Sequence, residues 1–231
     1  MLTLPVYDVT PFTLLDFPGK TACIVWFSGC NMRCGYCHNP DIVRNKGRGM
    51  ASQVLAFLHK RKGLLDGVVL SGGEACLYQD IVGFARQIKR LGYSIKLDTN
   101  GTRPEIVREM LDQDLLDYVA LDYKAPQAKY KKVTATHLFK YFDETLTRLI
   151  GQNQVPFEIR TTVHSGLLDE PAIAGIMEDL SARGYRGVYY VQNYTNNNGA
   201  PTLGALPPQK QKLDTRKLPP PQGFTLAFRN F

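Results

Sequence analysis

Three cysteines lie close together in the segment GCNMRCGYCHNP, which spans residues 29–40. Cys30, Cys34 and Cys37 follow a C-x3-C-x2-C spacing, and His38 comes directly after the last of them. Thiolate sulfur is the soft ligand that zinc ions and iron–sulfur clusters prefer. The spacing therefore predicts a metal centre on one short loop, with the three cysteines as its ligands.

A structural zinc ion and an iron–sulfur cluster make different demands on this segment. A closed zinc site needs four ligands, which Cys30, Cys34, Cys37 and His38 nominally supply. However, Cys37 and His38 are adjacent, whereas zinc ligand pairs usually stand about two to five residues apart. A 4Fe–4S cube held by three thiolates keeps one iron that the protein does not fully ligate, and that iron is available for chemistry. We favour the cube and keep a zinc-stabilised binding module as the alternative.

The rest of the composition bounds the class of protein. Five cysteines are an odd number, and their crowding favours a metal centre over a disulfide framework. Cys23 lies inside an apolar run and is expected to be buried, whereas the sequence assigns no role to Cys76. The net charge of +7 comes from scattered basic residues, which favours a solvated basic surface and does not favour a nucleic-acid partner. No apolar run approaches the ~20 residues of a membrane span, and no secretory signal stands out, so we expect a cytoplasmic protein without a membrane partner.

Short β-branched or aromatic runs alternate with amphipathic stretches along most of the chain. This alternation is typical of repeated β-α units around a parallel sheet. Six such units are too few to close an eight-stranded barrel, so we predict an α/β fold, a partial (β/α)6 barrel of the TIM type. We expect this domain to span residues 1–194. Residues 195–231 then form a C-terminal extension that is packed on it or partly disordered, and GFTLAFRNF near its end is typical of a final strand. The six predicted strands are 21–27, 67–71, 94–98, 118–122, 157–163 and 187–192.

Polar residues follow several of these strands. Gly72 and Gly73, in LSGGEA, allow a close backbone approach, and Asn100 begins a typical Asn-Gly turn. Asp98 and Asp122 come at the carboxyl ends of successive strands, where side chains face the mouth of a barrel.

Three further polar side chains belong to the same set of strands. Lys124 follows Asp122 in LDYKAP. Arg160, within FEIRTTVH, is suited either to binding a carboxylate or to a structural ion pair. His164 at the end of that segment is expected to be a loop histidine.

The cysteine loop together with SGGEA resembles the radical S-adenosylmethionine superfamily. In that family the three cysteines hold a 4Fe–4S cube, and the fourth iron binds the amino and carboxylate groups of S-adenosylmethionine. The resemblance thus answers why only three thiols are present. It also places Tyr36 and His38, on either side of Cys37, beside the cofactor.

The resemblance implies further contacts with S-adenosylmethionine. Gly72, Gly73 and Glu74 would meet the ammonium group of its methionine part. A second set would lie near its ribose and methionine parts, together with a monovalent cation. This second set comprises Asp98, Asp122 and Lys124, and Asn100 and Arg160 are predicted at the same cofactor site.

Residues 8–192 resemble the activating enzymes of glycyl-radical enzymes in particular, through DFPGK, CHNP, LDTNG and LDYKAP. The resemblance implies reductive cleavage of S-adenosylmethionine to a 5′-deoxyadenosyl radical, which generates a glycyl radical on a partner enzyme. A flavodoxin or ferredoxin would supply the electron. Among the branches, the activating protein of anaerobic ribonucleoside-triphosphate reductase is the most similar.

Two alternatives within the superfamily stay open. One is a pyruvate formate-lyase activating enzyme, and the other is a small-molecule radical enzyme such as 7-carboxy-7-deazaguanine synthase. The chain also departs from the family pattern. GGEACLYQD lacks the usual Pro-Thr, and Tyr194 stands near the place where the formate-lyase relative carries a histidine.

Overall fold

A computed structural model describes residues 4–45, 47, 49–195, 202–204 and 206–231. Its eight strands form one sheet in which spatial order follows chain order. The strands are β1 (Val6–Thr13), β2 (Ala22–Phe27), β3 (Gly67–Gly72), β4 (Ser94–Thr99), β5 (Tyr118–Asp122), β6 (Phe157–Val163), β7 (Val188–Asn193) and β8 (Thr225–Arg229). The helices are α1 (Pro40–Arg44), α2 (Ala51–Lys60), α3 (Asp80–Arg90), α4 (Pro104–Asp112), α5 (Gln127–Thr134), α6 (Phe139–Gly151) and α7 (Glu170–Ala182).

The sheet is parallel except at its first edge. β1 runs antiparallel to β2, and every later neighbour pairs in parallel. Since the strand order begins at β1 and ends at β8 without a pairing between them, the barrel is open along one side. The prediction of a partial α/β barrel is confirmed.

The two faces of the sheet carry different side chains because successive residues of a strand point in opposite directions. On β2, Cys23 and Val25 belong to the large core under the helices, whereas Ala22 and Ile24 belong to a second, smaller cluster. The second cluster also includes Phe17 of the β1–β2 connection. It lies at the amino-terminal half of the strands and fills that end of the barrel interior, which we call the lower end.

The same alternation on later strands places charged residues on the inner face. On β4 the outward Ile95 and Leu97 enter the large core, so Lys96 and Asp98 point inward. On β6, Ile159 points outward between Glu158 and Arg160. The barrel interior therefore changes from apolar side chains to an ionic layer as the strands approach their carboxyl ends.

All six predicted strands of the β-α units exist, and the structure adds β1 at the first edge. Predicting β1 failed because Pro11 and three polar or charged positions interrupt its pattern, VYDVTPFT. β8 is the final strand that GFTLAFRNF predicted, and it pairs with β7, so the C-terminal segment ends in the sheet itself. The domain boundary at residue 194 stays a prediction. None of the helices in the described part of the chain has the length and apolar character to cross a bilayer.

Candidate functional site

A cavity of about 250 Å³ lies where the parallel strands end. The structure brings all thirteen predicted site residues into its lining, although they come from five separate segments of the chain. Their individual roles toward a cofactor stay predictions. These residues are Cys30, Cys34, Tyr36, Cys37, His38, Gly72, Gly73, Glu74, Asp98, Asn100, Asp122, Lys124 and Arg160.

The cysteine loop is fixed by hydrogen bonds of the protein itself. At its start the N–H of Gly29, a residue with φ of +83°, donates to Ile42 O over 2.8 Å. Further along, the N–H of Arg33 donates to Thr134 O over 2.9 Å, and its guanidinium donates to Cys30 O over 2.6 Å. The loop therefore presents its thiols on a backbone that is already ordered.

All three thiols of the loop are free, without a disulfide. Burial raises the pKa of Cys30 to about 12, and burial also raises that of Cys34 despite the neighbouring Lys124. Among the described residues, no three His, Cys, Asp or Glu side chains converge closely enough to hold a single metal ion. The three thiols line one cavity, and a 4Fe–4S cluster takes its thiolate ligands at separate iron corners.

The loop after β3 packs directly on the cysteine loop, backbone against backbone. The N–H of Gly73 donates to Phe27 O, and that of Glu74 donates to Gly29 O, each over 2.9 Å. A Cβ atom on Gly73 would lie 1.9 Å from Gly29 O, and one on Gly72 would lie 2.3 Å from Phe27 O. The two glycines are therefore required for this contact, whatever they bind.

Glu74 is buried, and its carboxylate is occupied by protein donors. Oε1 accepts from Cys76 N over 3.0 Å and from Thr99 Oγ1 over 2.8 Å, while Oε2 accepts from Asn100 N over 2.7 Å. Burial raises the pKa of Glu74, and these hydrogen bonds oppose the rise. Glu74 thus joins the ends of β3 and β4, and its predicted contact with a methionine ammonium stays a prediction.

Asn100 links the end of β4 to the cysteine loop. Its Nδ2 donates to Asn31 Oδ1 over 3.0 Å and lies 4.0 Å from Cys30 Sγ, while its Oδ1 accepts from Thr102 Oγ1 over 2.6 Å. The backbone N–H of Met32 also points at Cys30 Sγ, over 3.4 Å. Such donors stabilise negative charge on a ligating sulfur.

The ionic layer of the barrel interior lines the same cavity as the cysteines. Asp122 accepts from Arg160 Nε and from Lys124 Nζ, each over 3.0 Å. Asp98 accepts from Lys96 Nζ over 2.6 Å and from Ser71 Oγ over 3.1 Å. Every carboxylate oxygen of these two aspartates therefore already has a donor.

The charged states of this layer support one another. Burial opposes the charge on Asp122, but Arg160 and Lys124 overcome it and lower the pKa of that carboxyl below its usual value. Burial likewise opposes the charges on Lys124 and Arg160, and Asp122 is the first of the neighbours that raise both pKa values. A buried ion pair holds together only while each charge has its partner.

Three aromatic rings, those of His38, His164 and Tyr194, pack against one another next to the last cysteine. The ring of Tyr194 lies 5.0 Å from that of His38 in a stacked arrangement and 4.9 Å from that of His164 in an edge-on one. His164 Nδ1 accepts from Gly166 N over 3.0 Å, so Nε2 carries the proton and donates to Pro207 O over 3.1 Å. Both nitrogens of His164 are thus used within the protein, as expected of a loop histidine.

Two buried polar atoms of the cavity lining have no hydrogen-bond partner among the described residues. They are the hydroxyl of Tyr36 and Nδ1 of His38. Buried polar groups usually find a partner in a protein or in its ligand. This observation agrees with the prediction of both residues beside a cofactor.

Sequence reasoning missed several residues of the site. Trp26, Ser71 and Thr162 line the cavity, and the period of two along their strands would have indicated the inner face. Leu203 also lines it, and its sequence context, rich in Asn, Gly and Pro, carries no periodic signal.

The chain is similar to known proteins in sequence and in fold. The family model of the radical S-adenosylmethionine superfamily matches residues 24–174. The chain belongs to this superfamily. It is a radical S-adenosylmethionine enzyme, and membership implies a 4Fe–4S cluster and S-adenosylmethionine. The residues present fit that cluster, because the three matching cysteines lie together in one cavity lining.

Curated relatives of the chain carry related names. A protein of Methanocaldococcus jannaschii, assigned as a glycyl-radical enzyme activating enzyme, is 34% identical over 180 residues, which are 74% of this chain and 73% of that protein. The pyruvate formate-lyase 1-activating enzyme of Escherichia coli is 35% identical over 120 residues, which are 48% of each chain. The chain thus spans about half the length of the second relative.

Solved structures share the fold at low sequence identity. Streptococcus suis SuiB bound to S-adenosylmethionine aligns with 90% of this chain and 52% of its own, at a TM-score of 0.60 and 15% identity. QueE from Escherichia coli aligns with 85% of this chain and 86% of its own, at a TM-score of 0.56 and 17% identity. These likenesses show the partial-barrel fold alone.

The glycine contact generates a prediction about stability. Gly73→Ala places a methyl group against Gly29 O and is expected to lower the free energy of unfolding by about 3 kcal/mol. Gly175→Ala is the matched control, because a Cβ there meets nothing within 4 Å, and it is expected to raise stability by about 0.5–1 kcal/mol as a helical Gly→Ala change. Denaturant unfolding of both variants measures the difference, and equal stabilities would contradict the assignment.

The ionic layer generates a second prediction. Arg160→Ala leaves Asp122 buried with one cation fewer, and we expect it to cost about 3–5 kcal/mol. Arg148→Ala removes a half-exposed arginine paired with Asp112, and we expect at most about 1 kcal/mol.

The cost of Arg160→Ala should also depend on pH. The pKa of Asp122 is lowered in the folded protein, so its ion pairs stabilise at neutral pH and are lost as the pH falls through that lowered value. The deficit of Arg160→Ala should therefore be largest near neutral pH and shrink in acid. Unfolding curves at several pH values test this, and a deficit that grows in acid would contradict it.

Proposed function

We propose that this chain activates a glycyl-radical enzyme, and that its partner is of the anaerobic ribonucleotide reductase type. The observation that carries the proposal is a single loop with three free thiols lining a cavity at the carboxyl ends of an open barrel. The names of the curated relatives point to the same class of activity. The choice of ribonucleotide reductase rests on the motif resemblance of residues 8–192.

When bound, the cluster supplies one electron to S-adenosylmethionine, whose reductive cleavage yields the radical that abstracts hydrogen. The chain's own part is to hold and orient these groups. Cys30, Cys34 and Cys37 hold the cluster, and the backbone contact between Gly73 and the cysteine loop fixes the neighbouring strand ends. Tyr36 and His38 line the same cavity, and each has a buried polar atom without a partner among the described residues.

The ionic layer orients the nucleoside in this proposal. Because Asp98, Asp122 and Arg160 are already bonded to one another or to neighbours, they offer fixed charges and need no rearrangement when the nucleoside binds. A monovalent cation beside Asp98 and Asp122 is part of the proposal as well. Such an ion would share carboxylate oxygens that already accept hydrogen bonds from the protein.

The open side of the barrel supports a macromolecular substrate. A loop of a large partner can reach the barrel interior between β1 and β8, where a closed barrel would block it. A flavodoxin or ferredoxin is the proposed electron donor, and the net charge of +7 favours an acidic carrier.

Pyruvate formate-lyase is the second candidate partner, because the activating enzyme of Escherichia coli for that protein is 35% identical over 120 residues. A small-molecule radical reaction is the remaining alternative. The three differ in which substrate receives the unpaired electron.

Substitution of the cysteines tests the ligand assignment. Cys30→Ala, Cys34→Ala and Cys37→Ala should each lose cluster iron and abolish S-adenosylmethionine cleavage, measured as 5′-deoxyadenosine by chromatography. Cys76→Ala is the matched control, since Cys76 is fully buried outside the cavity lining, and it should keep both properties. Full iron content with cleavage in any loop variant would contradict the assignment.

The partner is tested with anaerobically reconstituted protein, S-adenosylmethionine and a reductant. An anaerobic ribonucleotide reductase should acquire a glycyl electron-spin signal in this mixture. A signal on pyruvate formate-lyase alone would support the second candidate. Cleavage with a signal on neither protein would favour the small-molecule reaction and overturn the proposal.

A further inference from the structure

The chain contacts the cysteine loop again after β7. We use the name strap for residues 202–204 and 206–214, which the structure describes between β7 and the last 3-10 turn. These residues lie outside the region matched by the superfamily model, which ends at residue 174. The strap contacts the cysteine loop at one end and the loop after β6 and the start of α7 at the other.

One end of the strap is bonded to the backbone of the cysteine loop. The N–H of Leu203 donates to Cys37 O over 3.0 Å, and the N–H of Gly204 donates to Gly35 O over 3.1 Å. The guanidinium of Arg44 in α1 also donates to Leu203 O over 3.0 Å. The strap therefore donates hydrogen bonds to the carbonyl groups of Gly35 and Cys37 in the cysteine loop.

The approach at this end is as close as a backbone allows. A Cβ atom on Gly204 would lie 2.7 Å from the Cα of Gly35, and one on Gly35 would lie 3.2 Å from the side chain of Leu206. The two glycines thus let the strap and the cysteine loop touch without side chains between them. Any side chain at Gly204 must push the two segments apart.

The other end of the strap is bonded to the loops after β6 and to the start of α7. Pro207 O accepts from His164, and the N–H of Lys210 donates to Ser165 Oγ over 3.1 Å. The N–H of Asp214 donates to Glu170 Oε1 over 2.9 Å. The described residues of the strap are therefore hydrogen-bonded to the cysteine loop at one end and to the start of α7 at the other.

The strap also reaches into the site. Leu203 lines the cavity together with Cys34, Cys37 and His38. Its side chain adds an apolar surface to the cavity lining that also contains these two predicted cluster ligands. An apolar cover lowers the access of water to a metal centre and so affects its stability and potential.

We propose that the strap is part of the cofactor site, with Leu203 and Gly204 as positioning residues that hold the cysteine loop and shield the cluster. The inference rests on membership of the superfamily and on the three cysteine ligands. It does not depend on which partner enzyme is activated, because its test measures retention of iron.

The test compares full-length proteins purified anaerobically with their clusters. Gly204→Ala should separate the strap from the loop, and Gly175→Ala is the matched control. Iron release to a ferrous chelator is followed under anaerobic conditions, and hydrogen exchange of the strap peptide is followed by mass spectrometry. Loss of two backbone hydrogen bonds corresponds to about a tenfold faster release of iron, with faster exchange of the strap and an unchanged rate for the control.

Leu203→Ala separates shielding from anchoring, because it keeps the backbone bonds and removes the apolar side chain. It should change the reduction potential of the cluster and leave strap exchange as in the wild type. If Gly204→Ala does not fold, Arg44→Ala gives the same comparison by removing only the bond to Leu203 O. Iron release at the wild-type rate from a variant whose strap exchanges faster would overturn the proposal, as would an unchanged potential in Leu203→Ala.

Discussion

The contact of two backbones, at Gly73 and Gly29, is the constraint on which the rest of the site depends. A metal centre on one loop is useful only if the neighbouring strands present their groups at a fixed distance from it. Here the N–H groups of Gly73 and Glu74 are hydrogen-bonded to carbonyls at the end of β2 and the start of the cysteine loop. No residue with a side chain fits at Gly73, so the sequence has little freedom there.

The barrel interior meets a second demand, which is to keep charges fixed near a reactive centre. Its lower end is filled by apolar residues such as Phe17 and Ile24, and its upper end holds alternating acids and bases. Water-filled space would screen these charges, whereas a layer of mutual partners keeps them strong and ordered. Each buried charge depends on its neighbour, so a substitution in this layer is expected to destabilise the fold.

The sequence predicted the barrel and the chemistry of the site because both have local signals. β-Branched or aromatic runs of five to seven residues indicated the parallel strands, and the cysteine spacing together with SGGEA predicted the cluster ligands. Gly72 and Gly73 were predicted to allow close approach, and the structure shows that the approach is to the cysteine loop. β1 was missed because Pro11 and exposed polar residues hide its pattern, which is typical of an edge strand. Leu203 was missed because its place depends on tertiary contacts alone, namely hydrogen bonds to Cys37 and Arg44.

With three cysteine ligands, the protein would leave one iron of its cluster for S-adenosylmethionine to bind. Electron–nuclear double resonance of the reduced protein, with S-adenosylmethionine carrying nitrogen-15 in its amino group and oxygen-17 in its carboxylate, tests this most directly. We expect both labels to couple to the cluster spin, because both groups would ligate one iron. Absence of either coupling in protein that contains the cluster and the nucleoside, or a colourless centre containing zinc, would contradict it.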